Sequence, residues 1–182
     1  MTSKGRIVWN TITTVLVSAI AVLAILLAGV RLFGLKPFAV LSGSMEPAYE
    51  VGSLIYVKNA LPQDIKVGDP ITFVLNEDLT VATHRVIKID AGNQQFYTKG
   101  DANNAADGAP VHYNNLIGKP VFSIPKLGYV SGFLNTKRGT IIAITAAVVI
   151  LMMIFIPDIL KKAETDEAKK KNAENMRRRP EV

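Results

Sequence analysis

The chain has 182 residues, 49% of them apolar and 20% charged, with a net charge of +6, which suits one modest globular domain together with membrane segments. It contains no cysteine, which excludes disulfides, thiolate catalysis and cysteine-based metal sites. The basic excess lies outside the middle of the chain, where acids and bases balance, so the charge gives no nucleic-acid footprint.

The apolar excess is clustered. Ile7 to Val30 carries no charge and as a helix measures about 36 Å, enough to cross a bilayer with some tilt. Lys4 and Arg6 precede it as in a cleaved secretory signal, but the apolar core of such a signal runs to only about 7–15 residues, so an uncleaved anchor is expected. Thr140 to Ile156 is a second uncharged stretch, close to the lower limit of about 17 residues for a span. Pro157 is expected to break it. Its apolar residues run all round the helix, which favours a lipid-facing span over a core helix with one buried stripe.

Basic residues follow the second span densely, at Lys161, Lys162, Lys169, Lys170, Lys171, Arg177, Arg178 and Arg179. The positive-inside rule then puts this tail, and with it the N-terminus, in the cytoplasm. The tail outweighs Arg31, Lys36, Lys137 and Arg138, which flank the spans on the other side. The expected organisation is a cytoplasmic N-terminus over 1–6, a transmembrane helix over 7–30, an extracytoplasmic domain over 31–139, a second transmembrane helix over 140–156, and a basic cytoplasmic tail over 157–182. That organisation makes a two-pass protein of the cell membrane, partnered by the lipid bilayer.

After the first span, Phe38 to Leu41 reads as a strand or its approach. It leads into Ser42-Gly43-Ser44-Met45-Glu46-Pro47, two hydroxyls separated by glycine and followed by a flexible apolar side chain and a proline. The arrangement suits an exposed nucleophile, although Ser-Gly-Ser by itself also serves as a plain turn. Ser53 to Lys58 and Ile71 to Leu75 are rich in β-formers, with irregular sequence over Leu61 to Lys66 between them. Thr80 to Ile89 is the longest strand candidate. Ala91-Gly92-Asn93 turns the chain into Gln94 to Lys99 as a hairpin, Gly100 to Pro110 is loop-like, and Ile117 to Ile124 resumes strand character until Pro125. The fold expected is a mainly β outer domain anchored by two transmembrane helices, without an amphipathic helix in the domain.

A serine nucleophile needs a base. The chain has two histidines. His84 lies within the longest strand, on the same face as Ala82 and Val86 by alternation. His112 lies in a loop, where a surface role is the default. Asp101 and Asp107 frame the loop after Lys99, and either can hold an imidazole tautomer or simply make a local turn. As a pair they lack a metal-ligand spacing signature, and no cofactor is expected.

Three motifs, Ser42-Gly43-Ser44-Met45-Glu46-Pro47, Thr83-His84-Arg85-Val86 and Lys99-Gly100-Asp101-Ala102-Asn103-Asn104 with Asp107 following, resemble signal peptidase I of the endoplasmic-reticulum and archaeal type, whose SipW-like branch occurs in some Gram-positive bacteria. The resemblance covers roughly 38–129, in order. It implies a serine endopeptidase that removes signal peptides from exported preproteins after small residues. It implies Ser44 as nucleophile, His84 as base in place of the lysine of the commoner bacterial branch, Asp107 as the orienting carboxylate, Asp101 in support of the site, and Ser42 as an oxyanion donor beside the Ser44 N–H. Ala102 stands where many relatives have asparagine. The competing readings are a two-span membrane protein whose outer domain only binds a partner or serves as an accessory subunit, and a hydrolase using Lys88 or Lys99 as base. Accessory subunits are not identified by the sequence.

Overall fold

The computed structural model describes residues 3–75 and 80–177; Arg178 and Arg179 of the basic tail lie outside the described residues. The chain divides into two compact units, one comprising Thr14–Asn135 and the other Met1–Thr13 with Thr136–Val182.

The first unit is built on a seven-stranded antiparallel sheet. Its strands are β1 (Leu35–Ala39), β2 (Leu54–Lys58), β3 (Pro70–Val74), β4 (Val81–Asp90), β5 (Gln95–Lys99), β6 (Val111–His112) and β7 (Leu116–Ile124), in the order β1-β2-β7-β3-β4-β5-β6. The expected hairpin is present, with Asp90 opposite Gln95 at its turn. Strand β1 begins at Leu35, earlier than expected, because an edge strand tolerates Pro37 where a central one would lose a ladder bond.

Strand β7 serves two neighbours. Its start pairs with β3 and its remainder with β2, with a register shift in each ladder. Gly118 lies at this crossing, where a Cβ would stand 2.0 Å from the Lys58 carbonyl oxygen, so only glycine allows the backbones to approach. The two parts of the sheet carry separate cores. Ile65, Ile71, Phe73, Val86, Phe96 and Val111 form one; Val30, Leu54 and Tyr56 form the other. Each fully buried large side chain contributes about 1.5–3 kcal/mol relative to an exposed one, and Phe73, Phe96, Ile71 and Leu54 are of this kind.

Helix α1 (Ser3–Leu27) stops three residues before the end expected for the span. The chain tightens into a 3-10 turn over Gly29–Phe33, and Val30 joins the second core. The Tyr56 hydroxyl donates to the Leu26 carbonyl at 2.9 Å, satisfying one of the acceptors left free at a helix C-terminus. A short helix, α2 (Leu127–Leu134), follows β7, in a domain expected to hold no amphipathic helix; Gly128 and Gly132 both disfavour one by propensity.

In the second unit, α3 runs over Lys137–Arg177. The expected break at Pro157 does not occur. Proline costs a helix interior about 3 kcal/mol, and here the following segment is rich in Ala, Lys and Glu, strong helix formers that continue it. Among the described residues two helices are long and apolar enough to cross a membrane, over Ile7–Leu27, of mean hydropathy 2.2, and Lys137–Ile156, of mean hydropathy 2.7.

Candidate active site

Ser44 is held in a single 3-10 turn, Gly43–Met45, which Ser42 enters from an extended conformation. Met45, 2% exposed, roots the turn in the interior, leaving the hydroxyl of Ser44 free to face the neighbouring strand. That strand is β4. Its His84 stands opposite Ile71 of β3 and edge-on to the Phe73 ring, with centroids 6.3 Å apart. The His84 Nε2 lies 3.2 Å from Ser44 Oγ.

The other ring nitrogen, Nδ1, lies 2.6 Å from Asp107 Oδ2. The same carboxylate oxygen accepts a hydrogen bond from the Thr98 hydroxyl at 2.6 Å, and the Asp107 N–H donates to the Thr98 carbonyl at 2.9 Å. Three segments distant in sequence therefore form one continuous line from Ser44 through His84 to Asp107. With Nδ1 donating to the carboxylate, Nε2 is left as an acceptor for the serine proton.

Asp101 goes elsewhere. Successive residues of a strand point to opposite faces, so Arg85 turns away from the side that His84 occupies. Arg85 Nε and Nη2 donate to the two oxygens of Asp101 at 2.8 and 2.5 Å, and Nη1 donates to the Gly68 carbonyl at 2.7 Å. The hydrogen bond with Asp101 pushes the Arg85 guanidinium up from its ordinary value, against the smaller effect of burial. Tyr49 lies in the same field. Burial raises its phenol, Arg85 lowers it, and Asp101 raises it again, for a net upward shift.

Ser42 Oγ is 3.4 Å from Ser44 Oγ. His112 is remote from this group: it lies in the two-residue strand β6, not in a loop as expected, and its Nδ1 accepts from the Asn114 N–H at 3.1 Å. Lys88 is exposed, with Nζ 5.0 Å from the centre of the Tyr97 ring. Lys99 alternates with Thr98 along β5 and so faces away from Asp107. Among the described residues no group of three or more His, Cys, Asp or Glu side chains could hold a metal ion.

The loop after β5 also grips the backbone of Ser44. The Ala102 N–H donates to the Ser44 carbonyl at 2.9 Å, a backbone contact for which the side chain at 102 is irrelevant. Gly100 is buried, and a Cβ there would stand 2.6 Å from the Ser44 carbonyl oxygen. The sequence marked neither Gly100 nor Thr98 for these contacts. A glycine after a strand signals close backbone approach in general, and a lone threonine in a strand carries no signal at all.

Ser44 and His84 open onto a cleft of about 540 Å³ lined by residues 38–42 and 80–84 with Met45, Tyr49, Ile55, Leu75 and Asn103. Its walls are chiefly apolar, and the run at 38–42 continues from the edge strand β1.

Comparison with known proteins identifies the chain's relatives. The chain is 36% identical over 121 residues to "Signal peptidase I W" of Bacillus subtilis, covering 61% of this chain and 63% of that one. It is 32% identical over 126 residues to "Signal peptidase complex catalytic subunit SEC11C" of Homo sapiens, covering 62% and 65%. It is 32% identical over 111 residues to "Signal peptidase complex catalytic subunit SEC11" of Zygosaccharomyces rouxii, covering 54% and 65%. Each match spans just under two thirds of the relative's own length. The family model "Signal peptidase, peptidase S26" matches residues 12–120, a range that contains all three motifs and every strand through the start of β7. The chain belongs to the peptidase S26 family of signal peptidases.

Proposed function

We propose that this chain is a membrane-bound serine endopeptidase that removes signal peptides from exported preproteins, cutting after small residues. The observation that carries the reading is the unbroken line of contacts from Ser44 Oγ to His84 Nε2, and from His84 Nδ1 to Asp107, at the mouth of an apolar cleft. Family membership and the two apolar helices support it.

In the proposed reaction Ser44 Oγ attacks the scissile carbonyl carbon while His84 Nε2 takes the hydroxyl proton. The negative charge that develops on the carbonyl oxygen is met by the Ser44 N–H and the Ser42 hydroxyl, each such donor being worth about 3–4 kcal/mol in the transition state. The imidazolium, held by Asp107, then gives its proton to the leaving amine as the peptide C–N bond breaks. Water attacks the resulting ester by the same route in reverse and releases the new carboxylate with Ser44 restored. Asp101 supports the site indirectly, by fixing Arg85 on β4 next to His84.

The substrate peptide lies extended in the cleft, along the run that prolongs edge strand β1, where backbone pairing gives affinity. The two apolar helices anchor the domain on the outer face of the cell membrane, with both termini in the cytoplasm. Preprotein signal peptides reach the site there as they emerge. The test is cleavage of a synthetic preprotein by the detergent-solubilised chain, with Ser44→Ala as control. Cleavage lost in Ser44→Ala supports the reading; wild-type processing by that variant, in vitro or in a strain lacking other signal peptidases, refutes it.

A further inference from the structure

We propose that Thr98 is a positioning residue for the proposed catalytic set, its hydroxyl fixing the Asp107 carboxylate in the one orientation that meets His84. The proposal rests on the endopeptidase reading above. Thr98 and Phe96 are the inward residues of β5, 1% and 0% exposed, and Thr98 stands opposite Val86 of β4. A hydroxyl at such a site requires a partner, because burying it unbonded is costly. Its partner is Asp107 Oδ2, at 2.6 Å.

The carboxylate needs that partner as much as the hydroxyl does. Asp107 lies outside the regular strands, in the segment between β5 and β6, with its side chain 21% exposed, so no strand ladder fixes its backbone and rotamer. Thr98 reaches it twice, by the side-chain bond and by accepting the Asp107 N–H at its carbonyl. One contact pins the backbone at residue 107 and the other pins the end of its side chain. Both originate from a paired strand, β5, next to the strand that carries His84. Two donors, the Thr98 hydroxyl and His84 Nδ1, thus converge on a single oxygen at 2.6 Å each. A bond of a neutral donor to a carboxylate is among the stronger kinds, and its loss frees Asp107 to turn from the imidazole.

The experiment measures kcat and KM for a synthetic preprotein with the full detergent-solubilised chain, together with Tm. Thr98→Val keeps the shape and the β-branch and removes only the donor; Thr98→Ser keeps the donor and removes a methyl. Thr98→Val is expected to lower kcat roughly 10- to 100-fold, the scale of a misplaced catalytic group, with KM and Tm close to wild type, while Thr98→Ser restores most of kcat. In an Asp107→Asn background Thr98→Val is expected to add little further loss, because residues acting through one another are not additive. Wild-type kcat in Thr98→Val, a Thr98→Ser variant as slow as Thr98→Val, or a full additional loss in the Asp107→Asn background each overturns the proposal. If Thr98→Val does not fold, Thr98→Ala is read by the same kcat criterion. A wild-type chain that fails to cleave, or a Ser44→Ala variant that cleaves normally, overturns the endopeptidase reading and this proposal with it. Full activity of Thr98→Val in a protein that Ser44→Ala inactivates overturns the Thr98 role alone.

Discussion

Gly100→Ala adds a single methyl group to a buried loop and is expected to disable the proposed enzyme without unfolding it. The added Cβ would lie 2.6 Å from the Ser44 carbonyl oxygen and 2.7 Å from Asn103 Nδ2, whereas ordinary contact begins near 3.4 Å. The Asn103 amide is the end of a flexible side chain and can swing away. The Ser44 oxygen is backbone and cannot, so relief requires the two chains to part by somewhat under an ångström. That displacement falls on Ser44, the proposed nucleophile, and stretches the 2.9 Å bond from the Ala102 N–H. A shift of about 1 Å in a reacting group costs on the order of 100-fold in rate, and a smaller one costs about 10-fold or more. Overpacking of this kind destabilises by about 1–3 kcal/mol, so the folded protein remains measurable. The assay is kcat for preprotein cleavage beside Tm. An alanine variant with wild-type kcat and Tm would show that the loop does not set the position of Ser44.

Replacing His84 by Ala is expected to cost several orders of magnitude in kcat, since members of such a set act as a unit. Lys88→Ala and Lys99→Ala should stay within a few-fold of wild type, and a large loss in either would transfer the base to that lysine. Single cysteines at Lys169 and Asn93, in a chain with no native cysteine, should be labelled from the cytoplasmic and outer side respectively; labelling of position 169 from outside would invert the proposed topology. Burial raises the Asp69 carboxyl, but the Lys119 ammonium at 2.6 Å and the Lys66 N–H at 2.8 Å outweigh it and hold the group below its ordinary value. A carboxylate depressed in the folded state contributes its stability above the unfolded value of about 3.9 and loses it as pH falls through the lower folded value. Asp69→Asn should therefore lower Tm by a few degrees at most at neutral pH and flatten its decline in acid, as followed by circular dichroism; an unaltered acid profile would contradict this.

The parts of the fold that could be read from the sequence are those fixed locally. Strands β2, β3, β4 and β5 are runs of β-branched and aromatic residues bounded by turn signals, and the apolar spans are composition alone. Where an element depends on its neighbours, the sequence shows part of it or none. Strand β1 is a strand because β2 pairs with it, in spite of Lys36 and Pro37. Helix α2 holds two glycines that local propensity penalises, and Gly128 packs where a Cβ would lie 2.3 Å from the Ser53 carbonyl oxygen. The serine motif and His84 stand out as residues, yet the choice between Asp101 and Asp107 turns on strand alternation, which sends His84 and Arg85 to opposite sides of β4 and gives each its own aspartate.

That division explains why a loop without regular structure can hold a site that demands sub-ångström placement. The segment between β5 and β6 contacts Ser44 through Ala102 and Gly100, and it contacts the His84 imidazole through Asp107. Ser44 and His84 come from separate segments of the sheet domain, and the 3.2 Å between them has no covalent control closer than the whole chain between residues 44 and 84. The loop supplies a shorter connection. From the Ser44 carbonyl it runs through the Ala102 backbone to Asp107, and from there one hydrogen bond reaches His84. Its own position is fixed at two further points, Thr98 on one side and the Arg85–Asp101 ion pair on the other. On the proposed reading, catalytic geometry is therefore set by the loop's backbone bonds and by its two aspartates. Asp107 faces the reaction, and Asp101 ties the same loop to the strand that carries the base.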